Sequence, residues 1–279
     1  MRPYTGQLPS FLYRFRPVDE LCLEKLAFEI RDSGVYLSAL SDFNDPEEGR
    51  PIIRYLGPRN DIESLLKSNY LQQHPNASDS EVKDFINTAY TDIRERGFSL
   101  RPDMIETYFE ATARLTRVAC FSETPYNSVM WSHYSSYKPQ DKNIVPHGGI
   151  CLQYFVDDSW RDLLRPVSYQ NHRPTLNRLT VVDPSDLVFV KGTDWDHERE
   201  WRIVQFFDAK DINHPKLNEY SKLKVDPYHL SGIIFGVNTP MAFKKICKDW
   251  VQNRDERPKF YQCLYQELDL KLSIAEYTF

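Results

Sequence analysis

The stretch 194–203, DWDHEREWRI, sets Glu198 and Glu200 two residues apart, with Trp195 and Trp201 on either side and Arg202 close behind. On an extended strand side chains alternate between faces, so Glu198, Glu200 and Arg202 share one face and the two acids root roughly 6–7 Å apart. Two carboxylates buried together repel, and one of them holds its proton more tightly unless a cation compensates. Such a cluster costs stability if it is only structural, so it is a candidate catalytic floor. A solvated strand edge is the ordinary alternative, and there the cost vanishes.

Three further stretches carry chemistry. LYRFR puts Arg14 and Arg16 on one face of a strand, where a guanidinium holds a phosphate or carboxylate through paired hydrogen bonds. CFSET ends a strand at Ser122 and Thr124, hydroxyls that either bind a sugar or cap a turn. MWSHY gathers Trp131, His133 and Tyr134 within one helical turn. That aromatic surface suits a flat ring such as nicotinamide or a base, and His133 suits an acid, a base or an orienting group. A core helix with a satisfied histidine is the plainer reading. FNDP reads as a helix start, with Asp45 as N-cap and Pro46 at the first helical position. HGG at 147–149 reads as a tight entry into a strand. Phosphate-loop, dinucleotide-binding, zinc-protease and nucleophile-elbow signatures are absent, and no metal ligand set is assigned.

These residues need a frame. Alternation predicts strands at 11–17, 34–40, 116–124, 147–155, 187–191, 198–207, 230–236 and twice within 259–276. Helical spacing runs through 19–33, 130–137 and 239–253, with a long polar helical block at 60–115 that looks like an insertion. The expectation is one α+β domain over 1–279, its strands mostly antiparallel.

At 279 residues the chain can bury a sizeable core, and its 14% aromatic content with few glycines argues against disorder. A net charge of −5 disfavours nonspecific coating of nucleic acid. No apolar run is long enough for a signal peptide or a membrane span. Five scattered cysteines without CxxC spacing fit reduced thiols, so the expected compartment is the cytoplasm.

In this order, FNDP, CFSE, MWSHY, GGICLQYF and WDHEREWRI resemble a bacterial family known only as domain of unknown function 2971, over roughly 11–237. Its members sometimes lie near mobile or defence-related loci, which implies a toxin or phage-defence effector. The chain order LYRFR, CFSET, EREWRI is also similar to ADP-ribosyltransferases built on an arginine, a serine-bearing strand and a Glu-x-Glu strand. That resemblance implies NAD as substrate, with Arg14 or Arg16 on its phosphate or ribose and Ser122 positioning the nicotinamide ribose. Glu200 would bind the ribose 2′-hydroxyl and stabilise an oxocarbenium-like transition state, while Glu198 orients or activates the acceptor. Tyr134 or Trp131 would stack on the nicotinamide, and Arg202 is grouped with the NAD-binding residues. The pattern departs at Glu123, where a small hydroxyl residue is expected, and MWSHY and Arg202 have no counterpart.

The resulting expectation is an NAD-dependent ADP-ribosyltransferase-like or NAD-cleaving enzyme, with Glu200, Glu198 and His133 catalytic. Its acceptor, a protein or a nucleic acid, is open, and the block at 60–115 is a candidate surface for a protein partner. One rival is a metal-dependent nuclease or phosphodiesterase using Asp45, His133, Glu198 and Glu200. Another is a non-catalytic binding module, with both glutamates exposed and no cleft between them and Arg14 or His133.

Overall fold

The computed structural model describes residues 4–19, 22–45, 47–96, 110, 113–139, 143–177, 179, 184–207, 221–266 and 271–279. The chain begins with β1 (Phe11–Arg16), α1 (Leu23–Ile30), β2 (Gly34–Tyr36) and β3 (Ser38–Ala39). β4 (Ile52–Arg54) leads into two longer helices, α2 (Arg59–Gln73) and α3 (Asp79–Arg96). β5 (Thr116–Ser122), α4 (Ser128–Tyr134) and β6 (Ile150–Phe155) follow. Four short strands come next: β7 (Leu164–Pro166), β8 (Ser168–Gln170), β9 (Thr175–Asn177) and β10 (Val190–Gly192). The chain closes with β11 (Glu200–Phe206), β12 (Lys222–Lys224), β13 (Leu230–Phe235), an α5 helix (Met241–Val251), β14 (Lys259–Tyr265) and β15 (Leu272–Glu276).

The main sheet runs β15-β14-β13-β6-β1-β5-β11-β7, with β3 also paired to β5. Its pairings are antiparallel except β13 with β14, which α5 connects as a crossover. The α+β class and the mostly antiparallel sheet therefore match expectation. Alternation along the strands gives the sheet two buried faces. One face carries Leu12, Phe121, Leu152, Tyr154, Trp201 and Ile233 and packs on Leu26 and Ile30 of α1 and on Phe243, Cys247 and Val251 of α5. The other carries Phe15, Cys151 and Ile234 and packs on Met130 and Trp131 of α4.

Local chemistry explains the helix starts. Ser78 and Glu81 form a reciprocal capping box at α3, the Ser78 N–H donating to the Glu81 carboxylate at 2.7 Å. Asn127 caps α4, accepting from the Val129 and Met130 amides at 2.9 and 3.3 Å. The α2–α3 pair closes over a small cluster of Tyr55, Ile62, Leu66 and Ile93. The expected third helix of the 60–115 block falls largely at 97–109 and 111–112, outside the described residues. No helix among the described residues is long and apolar enough to cross a membrane.

Two local expectations are corrected. Asp45 caps a turn rather than a helix, since its carboxylate accepts from the Glu47 amide at 2.9 Å and Glu48 then turns inward. The apolar run at 187–191 is mostly a 3-10 turn (Pro184–Phe189), and only Val190 onward pairs as strand.

Candidate functional site

The centre of the sheet contains a split. β11 pairs with β5 along its whole length, so β1 and β3 must share the opposite edge of β5. β1 holds that edge only at Tyr13↔Ser122, while β3 holds it at Ser38↔Val118 and Ala39↔Arg117. Between these pairings β1 and β5 part, and a cavity of about 420 Å³ occupies the gap. Its size is that of a small-molecule site. Arg14 and Arg16 line it from β1, Cys120 and Ser122 from β5, His133 and Tyr134 from α4, and Glu48, Lys191, Glu198 and Glu200 from the far side. The cross-strand line Tyr13, Ser122, Glu200 places the three central strands in register at its floor.

Glu198 does not lie on the strand as expected. Residues Thr193–Glu198 form a 3-10 turn, Arg199 sits in the left-handed region at φ 45°, and β11 starts at Glu200. A non-glycine residue there costs about 1 kcal/mol. The bend turns both acids inward, with Glu198 and Glu200 only 2% and 5% exposed. They meet on one cation, as Lys191 Nζ lies 2.6 Å from Glu198, 3.4 Å from Glu200 and 3.8 Å from Glu48. Arg202 completes the network, donating from Nε and Nη2 to the two Glu200 oxygens at 2.9 and 2.7 Å and pairing also with Glu48. It also donates to the Val188 carbonyl. The Tyr134 hydroxyl donates to Glu198 at 2.7 Å. The Asn127 side chain that caps α4 donates to the His197 carbonyl at 2.8 Å, tying that helix to the acidic turn.

Charge balance fixes the protonation pattern. Burial opposes ionisation of Glu200, but Arg202 and Lys191 outweigh it and hold the carboxyl at about 2. Burial pushes Glu48 upward; Arg202 opposes this, and neighbouring Glu200 adds to it. Burial works against the Lys191 ammonium, yet Glu200, Glu48 and Glu198 raise its pKa above the usual lysine range. Tyr134 is pushed well up, by burial first and then by its bond to Glu198.

The opposite wall is built differently. Arg14 and Arg16 lie 3.3 and 3.0 Å from the carboxylate of Glu29, which projects from α1 and is fully buried. Arg14 also donates to the Tyr36 carbonyl and lies 5.5 Å over the Phe121 ring. Arg16 is 9% exposed, and its Nη2 has no hydrogen-bond partner among the described residues.

The predicted residues are therefore mostly brought together. Arg14, Arg16, Ser122, His133, Tyr134, Glu198 and Glu200 line one cleft. Trp131 does not. It is fully buried, donates from its indole to the Pro125 carbonyl at 2.7 Å and meets Phe15 edge-on, so no ligand stacks on it. Arg202 is likewise fully buried beneath the floor, where it serves as counter-ion to Glu200 and Glu48 rather than as a ligand contact. Glu123, the departure in the serine stretch, accepts from the Trp201 indole at 2.9 Å and fixes the start of β11. Ser122 exchanges hydrogen bonds with Thr124 at the strand end.

Sequence reasoning missed Lys191, Glu48 and Glu29. Only Glu29 left a signal, as an acid beside Leu26 and Ile30 on the apolar face of α1. The expectation attached to a non-catalytic module fails here, since both glutamates are buried and share a cleft with Arg14 and His133.

The chain matches no protein-family model, no curated protein and no solved structure. What the site can do follows from its own chemistry. Four cations and four carboxylates sit within or beneath one cleft. Buried charge of this density is expensive and seldom kept for stability alone.

Proposed function

We propose that the cleft binds NAD and cleaves its nicotinamide–ribose bond, passing ADP-ribose to an acceptor. One observation carries this reading: a single cleft with guanidinium groups on one wall and an ionised, fixed carboxylate at its floor. A dinucleotide needs that division. Its diphosphate suits Arg14 and the unpartnered Nη2 of Arg16. The ribose that becomes an oxocarbenium ion suits Glu200, whose charge is already in place and needs no reorganisation as the bond breaks. Ser122 stands beside Glu200 in register, suited to the ribose hydroxyls. Tyr13, Phe15, Phe43 and Tyr134 give the cleft aromatic surface for the flat rings. Arg14, Ser122 and Glu200, in that chain order, fall on three adjacent strands, which supports the likeness to ADP-ribosyltransferases. Rapid NAD depletion would be the natural output of a toxin or defence effector.

The metal-dependent alternative has less support. Lys191 Nζ lies among Glu48, Glu198 and Glu200, supplying the positive charge that a divalent ion would bring.

The test is nicotinamide release by purified protein, together with NAD binding by calorimetry. Glu200→Gln is expected to lower the rate at least a hundredfold, as loss of a transition-state electrostatic contact does, while NAD binding persists. Neither binding nor release by the unaltered protein at saturating NAD would sink the proposal.

A further inference from the structure

A second cavity of about 260 Å³ adjoins the cleft, and Glu48 and Lys191 line both. The two spaces therefore meet at this side-chain pair, which is 3.8 Å apart. The second cavity is lined by Asn171, His172, Arg173, Gly192 and Asp194, all exposed, and by half-buried Trp195. Its exposed lining residues are not shared with the β1–β5 split. Glu48, 4% exposed, is the buried carboxylate of its lining.

Resting on the NAD reading, we propose that this cavity is the acceptor's way in, that the acceptor is water or a similarly small hydroxyl compound, and that Glu48 takes its proton. Glu198 is poorly placed for that task, because Tyr134 engages one of its oxygens and Lys191 the other. Glu200 is committed to Arg202 through both oxygens. Glu48, by contrast, pairs ionically with Arg202 and, at 3.8 Å, with Lys191, and neither of its oxygens has a hydrogen-bond partner among the described residues. Glu48 is the one carboxylate of the three that faces both spaces. Its surroundings suit a base. Arg202, Lys191, Glu200 and Cys120 surround it; burial and the nearby Glu200 raise its proton affinity against the opposing pull of Arg202 and Lys191, and a raised affinity favours a general base. The narrow, buried Glu48–Lys191 pair admits water more readily than a protein side chain, so the reaction class is hydrolysis.

The step balances. The bond between ribose C1′ and the nicotinamide nitrogen breaks, and its electron pair leaves with neutral nicotinamide. The water oxygen bonds to C1′, and its proton passes to the Glu48 carboxylate and then to solvent through the second cavity. NAD and water give ADP-ribose, nicotinamide and one proton.

Gly192 allows a clean test. A Cβ built there meets only Trp195, at 3.9 Å, so the backbone accepts a larger side chain at a residue that lines the second cavity and not the cleft. Gly192→Leu is expected to keep NAD affinity within twofold and to cut nicotinamide release at least tenfold. Glu48→Gln is expected to lower kcat about a hundredfold, the usual worth of a general base, and to remove the acid limb of the kcat–pH profile, with thermal unfolding as a check on folding. Release by Gly192→Leu equal to that of the unaltered protein would overturn the route. A Glu48→Gln profile that keeps its acid limb would overturn the base. No release by the unaltered protein would instead overturn the NAD reading, and this assignment with it.

Discussion

The two walls of the cleft differ in how their charges are satisfied. On the acidic side every oxygen of Glu198 and Glu200 meets Lys191, Arg202 or Tyr134. On the basic side two arginines share one carboxylate, Glu29, and Arg16 keeps an unpartnered donor. A closed network holds its geometry and its protonation without a ligand. An open one is completed by a ligand. On the proposed reading, the acidic wall acts on the bound molecule and the basic wall captures it.

The sharpest way to break this contrast is to delete one cation from each wall. Arg202→Met leaves Glu200 and Glu48 buried with only Lys191, and is expected to cost about 3–5 kcal/mol in urea unfolding. Arg14→Met should cost clearly less, because Arg16 still pairs with Glu29. Equal losses would show that the walls do not differ in this way.

Acid titration probes the same difference. Glu200 falls from 4.5 to about 2 on folding, so its contribution is present above its unfolded pKa and lost as pH drops from about 4.5 towards 2. The amount is about 3 kcal/mol. Glu48 is shifted upward, so its contribution has the opposite sign: present below its unfolded pKa and lost as pH rises through its folded one. Unfolding free energies from pH 7 to 3 should therefore decline steeply at the acid end, and Glu200→Gln should flatten that decline. An unchanged slope in the variant would assign the acid lability elsewhere.

The smallest expected effect is on ligand capture. Arg16→Gln should weaken NAD binding about tenfold, the worth of one charge-assisted hydrogen bond, and move the unfolding free energy by under about 1 kcal/mol. A large stability loss with intact binding would mean that Arg16 serves α1 rather than the ligand.

Much of this arrangement was legible as pattern. FLYRFR, TRVACFS and LSGIIFG alternate as strands, and the helical spacing of 19–33 and 239–253 is met by α1 and α5. Arg14, Ser122 and Glu200 were readable as an ordered set because each lies on a regular strand. Glu198 was misplaced, because periodicity cannot register a single left-handed residue at Arg199. Lys191 and Glu48 were invisible for a related reason. They come from a short strand and a turn with no periodicity to orient a side chain, and Glu48 turns inward to a partner, Arg202, far away in sequence. The stacking role expected of Trp131 fails because a helix as short as Ser128–Tyr134 does not reveal in its sequence which aromatic faces the core.

The cleft takes its room from backbone pairing, not from small side chains. Its lining is rich in Tyr and Phe, yet it stays open because β5 changes neighbours from β1 at Ser122 to β3 at Val118. Substitutions in the lining can retune what is bound without sealing the space. The shape of the opening is inherited from strand connectivity, and its chemistry is left free to drift.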